Sequence, residues 1–119
     1  MSAERRKYER MSIKSVAELN IAPAEQRRFA FVGGISRGGL EMFCQQPLPV
    51  NQAVRIRLTF LDRQGRQVQE GLEGVIRWCS KLGEAHFAGM EFNAPIDERS
   101  HPALWAYLSR SQPARSSPR

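Results

Sequence analysis

The fold of this chain is organised around the segment Gly33-Gly34-Ile35-Ser36-Arg37-Gly38-Gly39-Leu40. Two apolar runs, Phe29–Val32 and Leu40–Cys44, lie on either side of it. Glycines at this density indicate a backbone that takes positive φ angles, or one that lets another molecule approach closely. They also leave main-chain N–H groups uncovered, which favours an anionic ligand. The segment predicts a tight hairpin between two strands, and it is the first candidate for a binding site.

The net charge of +6 is concentrated near the ends of the chain. Arg5, Arg6 and Arg10 lie in an N-terminal arm, and the C-terminal residues add further arginines, whereas residues 11–109 are close to neutral. Nucleic-acid-binding domains usually carry basic residues along a helix or strand face, so this distribution disfavours nucleic acid. It favours a small anionic ligand, because the arginine fork suits phosphate and the O6/N7 edge of guanine. Solubility alone is the alternative explanation for these charges.

Length and composition predict one domain of a soluble cytoplasmic protein. The 119 residues support a single hydrophobic core. No apolar run approaches the roughly 18 residues of a membrane span, and residues 1–10 lack the apolar segment of a secretory signal. Cys44 and Cys79 each lie in an apolar run and are predicted to be free, buried thiols. Together with His86 and His101 they do not have the spacing of a zinc site, so we expect no metal.

Apolar periodicity predicts six strands, of which Val54–Leu61 alternates most clearly between apolar and polar residues. Within the fifth strand, the alternation places Trp78 on the same face as Leu72 and Ile76. A helix is expected after Asp97, with Ser100 as its cap. The predicted strands are Ser15–Ile21, Arg27–Ile35, Leu40–Cys44, Val54–Leu61, Leu72–Ser80 and Ala85–Phe92. Since no βαβ alternation occurs, the fold class is mainly β: a six-stranded antiparallel barrel with a C-terminal helix.

The chain is predicted to have three parts. Residues 1–12 form a flexible basic arm, residues 13–110 the barrel and helix, and residues 111–119 a disordered tail. An enzyme is not expected. Gly34-Ile35-Ser36-Arg37-Gly38 matches the G-x-S-x-G nucleophile elbow, but that motif needs a following helix and a large doubly wound sheet. A phosphate-binding P-loop is excluded as well, because no lysine and threonine or serine follow the glycines.

Two short motifs resemble the paired signatures of the PilZ domain family, bacterial receptors for cyclic di-GMP. Arg6-Lys7-Tyr8-Glu9-Arg10 fits R-x-x-x-R, and Gly34-Ile35-Ser36-Arg37-Gly38-Gly39 fits most of (D/N)-x-S-x-x-G. Trp78 stands where the family often has an aromatic residue, and Gly89-Met90-Glu91-Phe92 resembles its closing strand. Gly34 departs from the acidic or amide residue of the family pattern. The resemblance covers nearly the whole chain and implies the same six-stranded PilZ-type barrel.

The resemblance also implies a ligand and its contacts, with no cofactor and no catalytic residues. Arg6 and Arg10, helped by Arg5, would hold the phosphates and guanine edges of cyclic di-GMP. The opposite wall and the floor would come from Gly34, Ser36, Gly38, Gly39 and Trp78, although Trp78 fits a buried core position equally well. Binding would order the arm, and the protein would signal by contacting an unidentified effector protein. The alternative is a degenerate PilZ adaptor that no longer binds the nucleotide. A small barrel that binds single-stranded nucleic acid is a third, less favoured interpretation.

Overall fold

The computed structural model of the chain describes residues 10–24 and 26–116, with side chains described as far as residue 109. Its strands form a closed antiparallel barrel in the order β1-β2-β3-β6-β5-β4, in which β4 pairs back onto β1. The elements are β1 (Ser15–Ile21), β2 (Gln26–Ile35), β3 (Gly39–Cys44), β4 (Ala53–Leu61), β5 (Gln67–Leu82), β6 (Ala85–Phe92) and α1 (Pro102–Ser116). The predicted six-stranded antiparallel barrel with a C-terminal helix is therefore confirmed.

The barrel interior is the hydrophobic core, and the alternation along each strand determines which side chains enter it. In β4, Ile56, Leu58 and Phe60 are almost fully buried, while Arg55 and Arg57 face outward. The helix α1 adds Leu104 and Leu108 to the same core. Its Tyr107 ring meets the Phe60 ring edge-on at 6.1 Å between centroids. The helix is thus part of the core and is not a separate appendage.

The start of α1 is capped by a strand residue and not by Ser100, so the predicted cap was wrong. The Glu70 carboxylate in β5 accepts hydrogen bonds from the backbone N–H groups of Ala103 and Leu104, at 2.7 and 3.0 Å. These are two of the donors that an α-helix leaves without internal partners. Ser100 instead donates its own N–H to the Asp97 carboxylate. A tertiary contact has replaced the local cap that the sequence predicted.

The fifth strand is longer than predicted, and a bulge in it turns Trp78 to the opposite face from the one predicted. β5 pairs with β4 from Gln67 onward, so the polar residues before Leu72 also belong to the strand. The β5–β6 register shifts between Ile76 and Trp78, which leaves Arg77 as the extra residue. Because the shift moves the following side chains by one position, Trp78 does not share the buried face of Ile76. Its side chain is 38% exposed, so the alternative of a buried core tryptophan was wrong.

Both ends of the described chain differ from the predicted boundaries. Helical backbone in α1 continues through Ser116, into the segment that was expected to be a disordered tail. At the other end, Met11 lies within the predicted flexible arm but exchanges two backbone hydrogen bonds with Ile35 of β2, at 2.7 and 2.8 Å. The Tyr107 hydroxyl also donates to the Ser12 carbonyl at 3.2 Å. The chain next to Arg10 is therefore attached to the barrel.

Both cysteines are free thiols, as predicted, although only Cys44 is fully buried. Burial, reinforced by the nearby Cys79 thiol, raises the pKa of Cys44 to about 11, so this group is uncharged at neutral pH. Within residues 10–24 and 26–116, no three His, Cys, Asp or Glu side chains are grouped as metal ligands would be. In that same part of the chain, no helix is long and apolar enough to cross a bilayer.

Candidate functional site

The glycine-rich segment is the end of one strand, a short turn and the start of the next strand. Gly33 and Gly34 lie in β2, where the register with β3 shifts between Val32 and Gly34. Ser36 begins the turn, and its N–H donates to the Gly39 carbonyl at 2.8 Å. Among the described glycines, only Gly65 and Gly83 have positive φ, and both lie in other hairpins. The expectation that the glycines of this segment need positive φ was therefore wrong.

Close packing is what requires glycine here. A Cβ atom on Gly39 would overlap the Met90 carbonyl oxygen, and one on Gly33 would lie 2.8 Å from a ring carbon of Phe43. At Gly34 the missing Cβ would meet the Arg10 side chain, 3.1 Å from its Cδ atom. The three glycines thus let other parts of the same chain approach the backbone, whereas the sequence suggested that another molecule would do so.

The polar side chains of the turn maintain its shape. Ser36 Oγ accepts the Gly38 N–H at 3.2 Å and lies 3.5 Å from the Gly39 carbonyl oxygen. Arg37 donates from Nε to the Ile96 carbonyl at 2.9 Å, and its guanidinium lies 5.0 Å from the Trp105 ring centroid. This arginine therefore ties the turn to the segment before α1.

The structure brings together six of the eight residues that the sequence predicted for the site. They line one cleft of about 600 Å³ on the outside of the barrel, a volume typical of small-molecule sites. These residues are Arg10, Gly34, Ser36, Gly38, Gly39 and Trp78. The remaining two, Arg5 and Arg6, lie outside the described residues. Their assignment remains a prediction.

Trp78 forms one wall of the cleft because a glycine faces it. A Cβ atom on Gly89 of β6 would overlap the indole ring, so the ring lies directly over that backbone. The Phe87 ring meets the indole edge-on at 5.2 Å. The turn contributes Gly38 and Gly39 to the same cleft. The result is a cleft with an aromatic wall and a glycine floor, which a flat ring can approach closely.

Two ion pairs in the cleft were missed by sequence analysis. Arg10 Nη1 lies 2.5 Å from Glu41 Oε2, and Arg77 Nε lies 2.7 Å from Glu91 Oε1. Glu41 stands directly across from Gly34 in the β2–β3 pairing. The hairpin register could have indicated Glu41, because a tight turn fixes which residues face each other. Arg77 could not have been found in this way, since it enters the cleft through the bulge in β5.

Comparison with known families and structures places this geometry in context. The family model described as PilZ domain matches residues 4–110, well over half of the chain. Among curated proteins, no sequence matches the chain. The chain resembles a structure of the Bacillus subtilis inhibitor of motility, MotI/DgrA, with a TM-score of 0.73 and 19% identity. The structural match covers 95% of this chain and 54% of the MotI/DgrA chain.

Two further solved structures show the same fold. One is the PilZ domain of Escherichia coli YcgR with c-di-GMP, which matches with a TM-score of 0.66 and 16% identity. The match covers 95% of this chain and 99% of the YcgR domain. The other is Borreliella burgdorferi PlzA in complex with c-di-GMP, with a TM-score of 0.55, 13% identity and coverage of 99% and 56%. The chain thus spans about half of the MotI/DgrA and PlzA chains. At these identities the likeness concerns the fold.

Proposed function

The chain belongs to the PilZ domain family, and on that premise we propose that it is a cyclic di-GMP receptor that signals through protein contacts and catalyses no reaction. Arg10, together with Arg5 and Arg6, holds the nucleotide against the cleft. The solved relatives YcgR and PlzA contain c-di-GMP, which supports this choice of ligand. The proposal includes a cytoplasmic location, since that is where the nucleotide acts as a second messenger.

One observation carries the proposal: Arg10 of the first PilZ motif and four of the six residues of the second motif line a single cleft. Arg10 comes from the first motif, and Gly34, Ser36, Gly38 and Gly39 come from the second. In the sequence, β1 and most of β2 lie between Arg10 and Gly34, and the folded barrel brings the two motifs together. A cleft that combines a guanidinium, an aromatic wall and exposed glycine backbone can take a ligand with both phosphates and purines.

The chemistry of each part matches a part of the nucleotide. The Arg10 guanidinium, with its side chain 33% exposed, can make bidentate contacts to a phosphate or to guanine O6 and N7. The glycine floor admits a purine at van der Waals distance, and the Trp78 indole can pack against it. Arg77 adds a second guanidinium at the rim of the cleft. Two cations near one cleft suit a ligand that carries two phosphates.

The adaptor half of the proposal is supported by an apolar row on the outside of the barrel. Phe29 and Phe31 of β2 are 61% and 68% exposed, which is unusual for large apolar side chains. Phe31 stands directly opposite Phe43 of β3 in the β2–β3 pairing. The Phe43 ring stacks on the Phe87 ring, with 4.6 Å between their centroids. Since Phe87 also contacts Trp78, the row extends from the cleft to the exposed phenylalanines.

A degenerate adaptor that does not bind the nucleotide is the second candidate, and one contact favours it. Arg10 already has a carboxylate partner, Glu41, and its side chain crosses the position where Gly34 lacks a side chain. A ligand has to compete with that ion pair. Exposed or half-exposed pairs contribute only about 0.2–1 kcal/mol, however, so the pair is too weak to exclude a dianionic ligand.

Arginine replacement separates the two candidates. Arg10→Ala should weaken cyclic di-GMP binding about tenfold or more in a calorimetric titration, because a charge-assisted contact is worth roughly 1.5–3 kcal/mol. The matched control is Arg27→Ala, which removes an arginine paired with Glu18 on the barrel surface away from the cleft. It should leave the affinity unchanged, and both variants should keep the melting temperature of the wild type within a few degrees. A folded wild type that does not bind the nucleotide would refute the receptor proposal and favour the degenerate adaptor, whereas binding that Arg10→Ala leaves unchanged would refute the role assigned to Arg10.

A further inference from the structure

We propose that Glu41 recognises the guanine base, by accepting hydrogen bonds from the N1–H and N2–H₂ groups on the donor edge of the purine. This inference rests on the proposed function and names the residue that gives it specificity for the base. Guanidinium groups can contact only the acceptors of guanine, O6 and N7. The donor edge needs an acceptor, and a carboxylate with two adjacent oxygens matches two adjacent N–H groups.

The position of Glu41 suits this role. It lies in β3, opposite Gly34 on one side and opposite Gly89 on the other, so glycines flank it on both neighbouring strands. Its side chain is 20% exposed and lines the cleft, where the Arg10 side chain lies over Gly34 and the Trp78 indole lies over Gly89. Among the described residues, its ion-pair partner is Arg10, which it contacts through Oε2. A carboxylate has about four lone-pair sites, so acceptor capacity remains for a base.

The other side-chain acceptors that line the cleft are less suitable. Ser36 Oγ already accepts the Gly38 N–H, and it offers a single oxygen. Glu91 accepts from Arg77 Nε and has a side chain that is 59% exposed, which places it at the rim, where water competes for the base. Among the described residues of the cleft, Glu41 is therefore the best placed to pair with two donors at once.

The charge of Glu41 determines which part of the ligand lies over it. A carboxylate repels a phosphate, so the base and not the phosphates must face Glu41. The phosphates then lie toward the guanidinium of Arg10. Arg10 and Glu41 thereby divide the nucleotide between them, the cation holding the phosphates and the anion holding the donor edge of the purine. The ion pair seen between them keeps the two groups adjacent before the ligand binds.

A comparison of two nucleotides tests this assignment. Cyclic di-IMP has hypoxanthine in place of guanine and so lacks the N2 amine, while its phosphates and its O6/N7 edge are unchanged. The wild type should bind cyclic di-GMP about tenfold more tightly than cyclic di-IMP in calorimetric titrations. Glu41→Ala should bind both with similar, weaker affinity, and Glu41→Gln, which keeps the side-chain volume and one acceptor oxygen, should show a smaller preference than the wild type.

Glu18→Ala is the matched control, because Glu18 is also a half-buried strand carboxylate paired with an arginine, Arg27, but lies away from the cleft. It should keep the full preference for cyclic di-GMP. Glu41 variants that keep the full preference for cyclic di-GMP would overturn the inference. Variants that bind both nucleotides more tightly than the wild type would overturn it as well, because Glu41 would then only restrain Arg10. A wild type that binds neither nucleotide would overturn the proposed function itself, which is a distinguishable result.

Discussion

Replacing Gly39 by alanine places a methyl group against the Met90 carbonyl oxygen, closer than the 3.0 Å below which real Cβ contacts are not found. The obstacle is backbone of β6 and cannot rotate away. To make room, β3 and β6 must separate by roughly an ångström, which strains the neighbouring bond from the Phe92 N–H to the Gly38 carbonyl, now 2.9 Å. Overpacking of this kind costs about 1–3 kcal/mol, and a weakened buried hydrogen bond about 1 kcal/mol more.

The unfolded chain offsets part of that cost, since alanine has less conformational freedom than glycine by about 0.4–1 kcal/mol. We therefore expect Gly39→Ala to lower the free energy of unfolding by about 2–3 kcal/mol and the melting temperature by roughly 10 °C. Urea unfolding measures the free energy and thermal unfolding the melting temperature, both followed by circular dichroism. Gly71→Ala is the control, because its Cβ would meet only the Ile56 carbonyl oxygen, at an ordinary 3.8 Å. Similar stabilities for the two variants would refute the packing explanation of the glycine segment.

Two further predictions concern the helix cap and the buried thiol. Glu70→Gln should destabilise the protein by about 1–2 kcal/mol in thermal unfolding, because the carboxylate caps the N–H groups of Ala103 and Leu104. Glu73→Gln is the control: Glu73 is an exposed residue of the same strand that does not cap the helix, so this change should have little effect. Cys44 should remain unlabelled by a thiolate-specific reagent at pH 9, since its pKa is raised to about 11 from 9.0, and should react once the chain is unfolded in denaturant. Because a raised thiol pKa favours the neutral form, this burial contributes stability below pH 9 that is lost as the pH rises toward 11. Rapid labelling of Cys44 in the folded protein at pH 9 would contradict its burial.

Local patterns were sufficient to predict most of the barrel. The clear alternation of Val54–Leu61 and the turn residues between strands place β1, β4 and β6 within one residue of their observed bounds. The errors arise where a distant part of the chain decides. Glu70 takes the cap that Ser100 was expected to form, because β5 passes next to the start of α1. The bulge at Arg77 turns Trp78 outward, and no feature of the β5 sequence marks it.

The site shows the same division between local and distant causes. The two short motifs identify Arg10, Gly34, Ser36, Gly38 and Gly39, and the barrel brings them into one cleft. The reason for the glycines could not be predicted from the sequence, because the groups that approach them come from β3, from β6 and from the chain at Arg10. Glu41 was missed because its role depends on the partner that faces it across the hairpin, a property of register and not of composition.

Calorimetric titration of the wild-type chain with cyclic di-GMP, with cyclic di-AMP as the matched nucleotide, tests the central claim most directly. Both ligands carry the same two phosphates, but adenine presents a donor where guanine has O6, so an arginine fork cannot make its bidentate contact. We expect saturable binding of cyclic di-GMP, at least tenfold tighter than that of cyclic di-AMP, which corresponds to about 1.4 kcal/mol. A folded protein that shows no heat of binding with cyclic di-GMP at high micromolar concentration, or that binds both nucleotides equally, would contradict the account.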